Sequence, residues 1–258
     1  MRTLGVARQA ARRAGEVISR YYRDGVEIRE KSEGNLVSAA DVEAEQAIAE
    51  VIRDAFPGHA ILGEECHSDP AESEHLWLVD PLDGTTNFAH GIPHFATSIA
   101  YYERGVPLCA VIHNPIRGDW FTAVRGEGAI ANGRPARVNA HAGVEQTLVA
   151  SGFFYDRGPL MESTFEVMQE FCRAGAHGIR RFGSAALDLC GVGCGYYGIY
   201  FEFQLHPWDF AAGRLFVEEA GGQVTTTTGA PLPIALSSVL ATNGALHATA
   251  TGLTRRYG

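Results

Sequence analysis

Apolar residues recur at three- and four-residue spacing from Thr3 to Tyr22, where Leu4, Ala7, Ala11, Ala14, Ile18 and Tyr21 share one face. This predicts an amphipathic helix that stops at Asp24-Gly25. Val26 to Lys31 alternates like a strand. Val42, Ala44, Ile48, Val51 and Ile52 predict a second helix over Asp41–Ala55, with Asp41 as its N-cap and Phe56-Pro57-Gly58 as its stop. Short strand-like runs follow at Ala60–Leu62, Leu76–Val79, Ser98–Glu103, Pro107–His113, Asp119–Val124 and Ala129–Ala131. Turn residues separate them, and Asn132-Gly133 is a hairpin signal. Beyond about Ala140 the pattern changes. Strands at Thr147–Ser151, Gly178–Arg181, Gly198–Phe203, Gln223–Thr225 and Val239–Thr242 alternate with helices at Leu160–Ala174, Ala185–Cys194, Asp209–Ala220 and Gly244–Thr254. The expectation is an α+β first half, residues 1–140, with two helices over a mainly antiparallel sheet, and an α/β second half, residues 141–258. No repeat or low-complexity linker divides them, so the halves are expected to form one body.

Composition narrows the function classes. A formal charge of −9 over 258 residues argues against a nucleic-acid-binding surface. The five cysteines, Cys66, Cys109, Cys172, Cys190 and Cys194, form no C-x-x-C pair. They read as buried free thiols, and an odd count without a disulfide pattern favours a reducing cytoplasm. The first residues lack the apolar core of a signal peptide, and no run is long enough to span a membrane.

The densest chemistry lies in Trp77-Leu78-Val79-Asp80-Pro81-Leu82-Asp83-Gly84-Thr85-Thr86-Asn87-Phe88. An apolar approach delivers two carboxylates into a turn where Pro81 removes a donor and Gly84 gives freedom to bend. Close carboxylates repel each other, and a hard cation such as Mg²⁺, which takes oxygen ligands, removes that difficulty. Alone, an Asp-x-x-Asp-Gly reads as a turn. Two distant segments change the balance: Gly63-Glu64-Glu65 after Ile61-Leu62, and Trp208-Asp209-Phe210-Ala211-Ala212-Gly213. His90 and His94 read as structural, His206-Pro207 as a turn, and Trp77 and Trp208 as core packing.

Together the three segments resemble the signature of the inositol monophosphatase family, with G-E-E, D-P-[ILV]-D-G-T-[TS]-N and W-D-x-x-[AG]-[GA] in that order. The resemblance covers nearly the whole chain. It implies a layered α-β-α-β-α sandwich of the inositol monophosphatase/fructose-1,6-bisphosphatase type, with the site between the halves. It also implies a Li⁺-sensitive hydrolase with two or three Mg²⁺ ions per site. By resemblance, Glu64, Asp80 and the Leu82 carbonyl hold a first metal, and Asp80, Asp83 and Asp209 a second. Glu65 holds outer water or the site geometry. Asp41, in a segment resembling L-V-T-x-x-D with Ser38 in place of Thr, and Thr85 orient and deprotonate the attacking water, with Glu64 counted among the catalytic set. Phosphate lies against Gly84 and Thr85. Arg180 to Leu189 resembles R-x-x-G-[ST]-A-A-x-[DN], which places substrate hydroxyls near Gly183, Ser184 and Ala185, while Glu202 accepts hydrogen bonds from a sugar ring. Lys31 aligns with a basic residue on the loop near the metals, but reads first as a solvated loop charge. The implied activity is hydrolysis of inositol monophosphate or a similar polyol phosphate. Fructose-1,6-bisphosphatase or histidinol-phosphate phosphatase activity, or a regulatory protein that binds transcription or RNA-maturation machinery, are the alternatives. A homodimer without membrane attachment is expected.

Overall fold

Helix α1 (Arg2–Asp24) turns Val6, Ala7, Ala10, Ala11, Ala14 and Ile18 inward, as its apolar spacing predicts. In the computed structural model the described residues are 1–25, 28–32, 35–153 and 158–257, without the side chains of 28–32 and 35–37. Val26 and the Lys31 side chain therefore lie outside the described set. Strands β1 (Ile28–Ser32) and β2 (Asn35–Ser38) pair antiparallel and lead into α2 (Ala39–Ala55). The N-cap of α2 is Ser38, which corrects the expectation for Asp41. Asp41 sits three residues on, and its Oδ2 accepts from the Ser38 backbone N at 2.8 Å and from Ser38 Oγ at 2.7 Å. This is the reciprocal capping box, in which the acid belongs at the third helical position.

A seven-stranded sheet follows: β3 (Ala60–Gly63), β4 (His75–Asp83), then, beyond the single-turn α3 (Thr85–Ala89), β5 (Ala96–Glu103), β6 (Val106–Asn114), β7 (Asp119–Val124), β8 (Gly128–Ala131) and β9 (Arg134–Pro135). Only β3 and β4 run parallel; the others form an antiparallel meander. The remaining elements are β10 (Leu148–Ser151), α4 (Pro159–Arg173), β11 (Gly178–Arg180), α5 (Ala185–Gly193), β12 (Ile199–Leu205), α6 (Pro207–Glu219), β13 (Gln223–Thr225), β14 (Ser237–Thr242) and α7 (His247–Thr254). Their strands form a five-stranded sheet in the order β11-β10-β12-β14-β13.

Strand alternation sorts the core into layers. Trp77, Val79, Ile99, Tyr101 and Val111 pack under α1 and α2. Leu76, Leu78, Ala100, Tyr102 and Ile112 face the other way, onto Ala186, Cys190, Leu215 and Phe216 of α5 and α6. Beyond those helices lie Tyr200, Val239 and Ala241 of the second sheet, and its far face packs Ile199, Phe201 and Leu240 against Val167 and Phe171 of α4 and Ala250 of α7. The layers are helix, sheet, helix, sheet, helix, as expected. Cys109 and Cys190 are buried, but Cys66, in the loop after β3, and Cys172, in the last turn of α4, are exposed, which corrects the uniform expectation for the thiols. Among the described residues no helix is long and apolar enough to cross a membrane.

Candidate active site

Strand β4 runs past its expected end at Val79 and is buried from Leu76 to Leu82. Its pairing with β5 matches Asp80 with Ser98 and Asp83 with Ala96, so three steps on β4 oppose two on its partner. The extra residue is a β-bulge, a place where Pro81, lacking an N–H, is tolerated. In a regular strand two residues three apart point to opposite faces. Here Leu82 packs with the odd-numbered Trp77 and Val79 under α1 and α2, and Asp83 turns to the side of Asp80. Both acids line one cavity of about 510 Å³. Gly84 then takes φ 98° and opens α3. A Cβ there would press within 3.1 Å of the Gly183 carbonyl, so this left-handed, crowded position suits glycine.

The cavity is also lined by Glu64 from the loop after β3, by Asp209 from the first turn of α6, by Gly84, Thr85, Gly183, Ser184 and Ala185, and by Glu202 of β12. Residues 64, 80, 83 and 209 thus meet although up to 145 positions (209 − 64) separate them in the chain. Each aspartate commits oxygen to the backbone that positions it. Asp80 Oδ1 accepts from Leu82 N at 2.9 Å, and Asp209 Oδ2 from His206 N at 2.7 Å. Asp83 accepts from Ala186 N at 2.8 Å, Ala185 N at 3.2 Å and the Ser184 hydroxyl. The leading carboxylate of the first sheet therefore caps the helix that faces the second. Asn87 adds to this seam, donating from Nδ2 to the carbonyls of His94 and Phe182, each at 2.7 Å.

Burial raises the three aspartates, and acidic neighbours add to this at Asp80 and Asp209. Burial, then the charges of Glu64, Asp83 and Asp209, hold Asp80 well above the usual carboxylate range. Burial, then Glu64 and Asp83, do the same to Asp209. Burial pushes Asp83 up to about 6 against the three hydrogen bonds it accepts. Among the described residues no group of three or more histidine, cysteine or acidic side chains is arranged, as it stands, to hold a metal ion. Ionised carboxylates repel, so closing them onto a point needs a cation's charge. The donor set is all oxygen, the chemistry a hard divalent ion takes, and on that ground the residues fit Mg²⁺.

Thr85 Oγ1 stands 3.2 Å from Asp41 Oδ1 and 3.0 Å from the Leu82 carbonyl, so α2 and α3 bring the two sequence-nominated residues together. Helix α3 has five residues, and what it offers an anion is N–H groups rather than a long dipole. In the same cavity Glu202 Oε2 accepts from Tyr200 Oη at 2.6 Å, and burial pushes it up to about 7. Asp188 Oδ1 accepts from Tyr197 Oη at 3.0 Å and is raised by burial as well. Trp208 is not core. It lines the cavity, its ring stacked on His206 at 4.6 Å, because Pro207 and the His206 cap start α6 where a turn was expected. Trp77 is buried as expected. Asp188, Arg181, Gln204 and Phe153 also line the cavity; Asp188 is the [DN] of the segment Arg180–Leu189, to which the resemblance gives no role. A polar residue at the inward position of an otherwise apolar helix, as in Ala185-Ala186-Leu187-Asp188-Leu189, was the signal for Asp188.

The sequence profile of the inositol monophosphatase family matches residues 2–258, and the chain belongs to that family. It is one of phosphatases, which makes phosphate esters the substrate class. An inositol-1-monophosphatase of Synechocystis is 40% identical over 95% of this chain and 85% of its own. A Nus factor SuhB of Pseudomonas aeruginosa is 42% identical over 88% of this chain and 86% of its own. The crystal structure of the extragenic suppressor protein suhB of Bartonella henselae superposes with a TM-score of 0.92 at 37% identity, covering 99% of both chains.

Proposed function

We propose that the chain is a Mg²⁺-dependent phosphomonoesterase acting on inositol monophosphate or a similar polyol phosphate. The observation that carries this is the cluster of Glu64, Asp80, Asp83 and Asp209 around one cavity, with each aspartate's pKa raised. Glu64, Asp80 and the Leu82 carbonyl would hold one ion, and Asp80, Asp83 and Asp209 another. Bound Mg²⁺ neutralises phosphate, acidifies water and stabilises the leaving alkoxide. The N–H groups of Gly84 and Thr85 receive phosphate oxygens. Thr85 Oγ1 takes a proton from the attacking water as it yields its own to Asp41 Oδ1. Gly183, Ser184, Ala185 and Glu202 face the substrate's hydroxyls, since an ionised acceptor makes the stronger bond. A cytoplasmic homodimer inhibited by Li⁺ belongs to the same reading.

The test is phosphate release from inositol 1-phosphate, fructose 1,6-bisphosphate, histidinol phosphate and adenosine 3′,5′-bisphosphate, each with and without EDTA. The expected result is preference for inositol 1-phosphate, abolished by EDTA. The name Nus factor SuhB on a relative at 42% identity favours a second reading, a partner in the transcription machinery. Silence across the panel together with recovery of transcription factors from extract would put that reading first.

A pH effect follows from the raised carboxyls. The folded EDTA-treated protein retains protons that the unfolded chain releases near pH 4, and stability falls wherever the folded state binds more protons. The carboxyl contribution to its stability is expected to fall as pH rises from about 4 through 6, the region of Asp83, to 7, that of Glu202, against an opposite contribution from His59, His94, His113 and His247, whose pKa values burial lowers. Millimolar Mg²⁺ should flatten the curve. A thermal-shift series from pH 4 to 8, with and without Mg²⁺, checks both statements.

A further inference from the structure

Glu45 is fully buried on α2, one turn after Asp41. Its carboxylate is gripped by the loop that carries Glu64. Oε2 accepts from Glu65 N at 2.7 Å, and Oε1 from Cys66 N at 2.7 Å and His67 N at 2.9 Å, with His67 Nδ1 at 2.8 Å. Three consecutive backbone donors converge on one anion, the arrangement by which loops cradle phosphates, here filled by a side chain of the same protein. Gly63 makes room for it: a Cβ at that position would lie 2.6 Å from the Glu45 carboxyl carbon. The loop closes on itself through Gly63 N to the His67 carbonyl at 2.8 Å. Glu64 is thus held between a glycine packed against the Glu45 carboxylate and a peptide bonded to it.

We propose that Glu45 is a positioning residue that fixes the Gly63–His67 loop so that Glu64 is aimed into the carboxylate cluster, and that it thereby sets the affinity for Mg²⁺ without touching the ion. The inference rests on the metal reading of that cluster. Helix α2 then serves the site twice on one face, holding Asp41 against Thr85 and, four residues on, the loop of Glu64. Groups that orient ligands from behind typically change metal affinity by about 10–100-fold when altered.

The experiment compares wild type, Glu45→Gln, Gly63→Ala and Ile52→Val. Glutamine keeps the shape but sets an N–H₂ against backbone donors. Alanine at 63 displaces the carboxylate while leaving its charge. Ile52→Val loosens the buried face of the same helix and spares the loop. Two readouts are taken: the Mg²⁺ concentration that half-saturates the thermal shift, and the one that half-activates phosphate release from inositol 1-phosphate. Both are expected to rise about tenfold or more in Glu45→Gln and in Gly63→Ala, with KM changing less, while Ile52→Val lowers the melting temperature and leaves both Mg²⁺ midpoints in place. Should Glu45→Gln not fold, Gly63→Ala decides. Mg²⁺ midpoints at the wild-type value in a folded variant of either kind would overturn the proposal. A wild type that ignores Mg²⁺ in both readouts would instead overturn the metal reading, and this inference with it.

Discussion

Asp80→Asn is expected to lower phosphate release by about 10²–10³-fold, the range for loss of one preorganised electrostatic stabiliser, and at the same time to raise the melting temperature of the EDTA-treated protein at pH 8. The two effects share a cause. Burial and the charges of Glu64, Asp83 and Asp209 all oppose ionisation of Asp80. An amide removes a buried charge that the metal-free fold tolerates badly, and also removes the ligand common to both proposed ions. Asp83 makes a poorer test. It accepts three hydrogen bonds at the start of α5, so Asp83→Asn disturbs the seam between the sheets as well as the site. Steady-state phosphate release and a thermal melt at pH 8 on Asp80→Asn check the pair. Wild-type turnover would remove Asp80 from the metal set.

Thr85→Ala is expected to reduce kcat by about 10²–10³-fold, within the span of general acid–base contributions, with little change in the Mg²⁺ midpoint. The hydroxyl at Thr85 is the group joining Asp41 to the Leu82 carbonyl. Deleting it breaks the proton path and leaves the carboxylates in place. The equivalent change at Asp41 would also open the capping box of α2, which costs about 1 kcal/mol for a typical cap, and so confounds the reading. Titrating Mg²⁺ against kcat in Thr85→Ala separates the roles, since a shifted midpoint would make Thr85 part of the metal site.

What was legible in the sequence follows physical rules that act locally. Amphipathic spacing located α1, and α2 to within two residues, and alternation located β5, β6 and β7. The failures are tertiary. In sequence, strand β4 reads as ending at Val79 because Asp80 and Pro81 are breakers, yet both are accommodated by the bulge. Asp41 reads as a cap because an acid just before an apolar run usually is one, although Ser38-Ala39-Ala40-Asp41 carries the capping-box spacing that puts Ser38 in that place. Glu45 left no trace at all: a glutamate inside an amphipathic helix reads as solvated, and nothing in the chain announces that residues 65–67 will fold back onto it. The metal-ligand set rests on the resemblance, and the fold adds that its members share a cavity.

The bulge in β4 also explains why the motif has the length it has. Two acids on one face of a pleated strand would ordinarily be separated by an even count, and here the count is odd because one residue is absorbed sideways. The number of residues between Asp80 and Asp83 is therefore a requirement of the site alongside their identities. Leucine 82 can be exchanged for other apolar residues that fill the layer beneath α1 and α2, since volume-conserving swaps are well tolerated. Losing or gaining a single residue there would carry one carboxylate through the sheet to the wrong side. A one-residue insertion or deletion in this stretch is thus expected to break the site, where a change of apolar side chain at Leu82 is not.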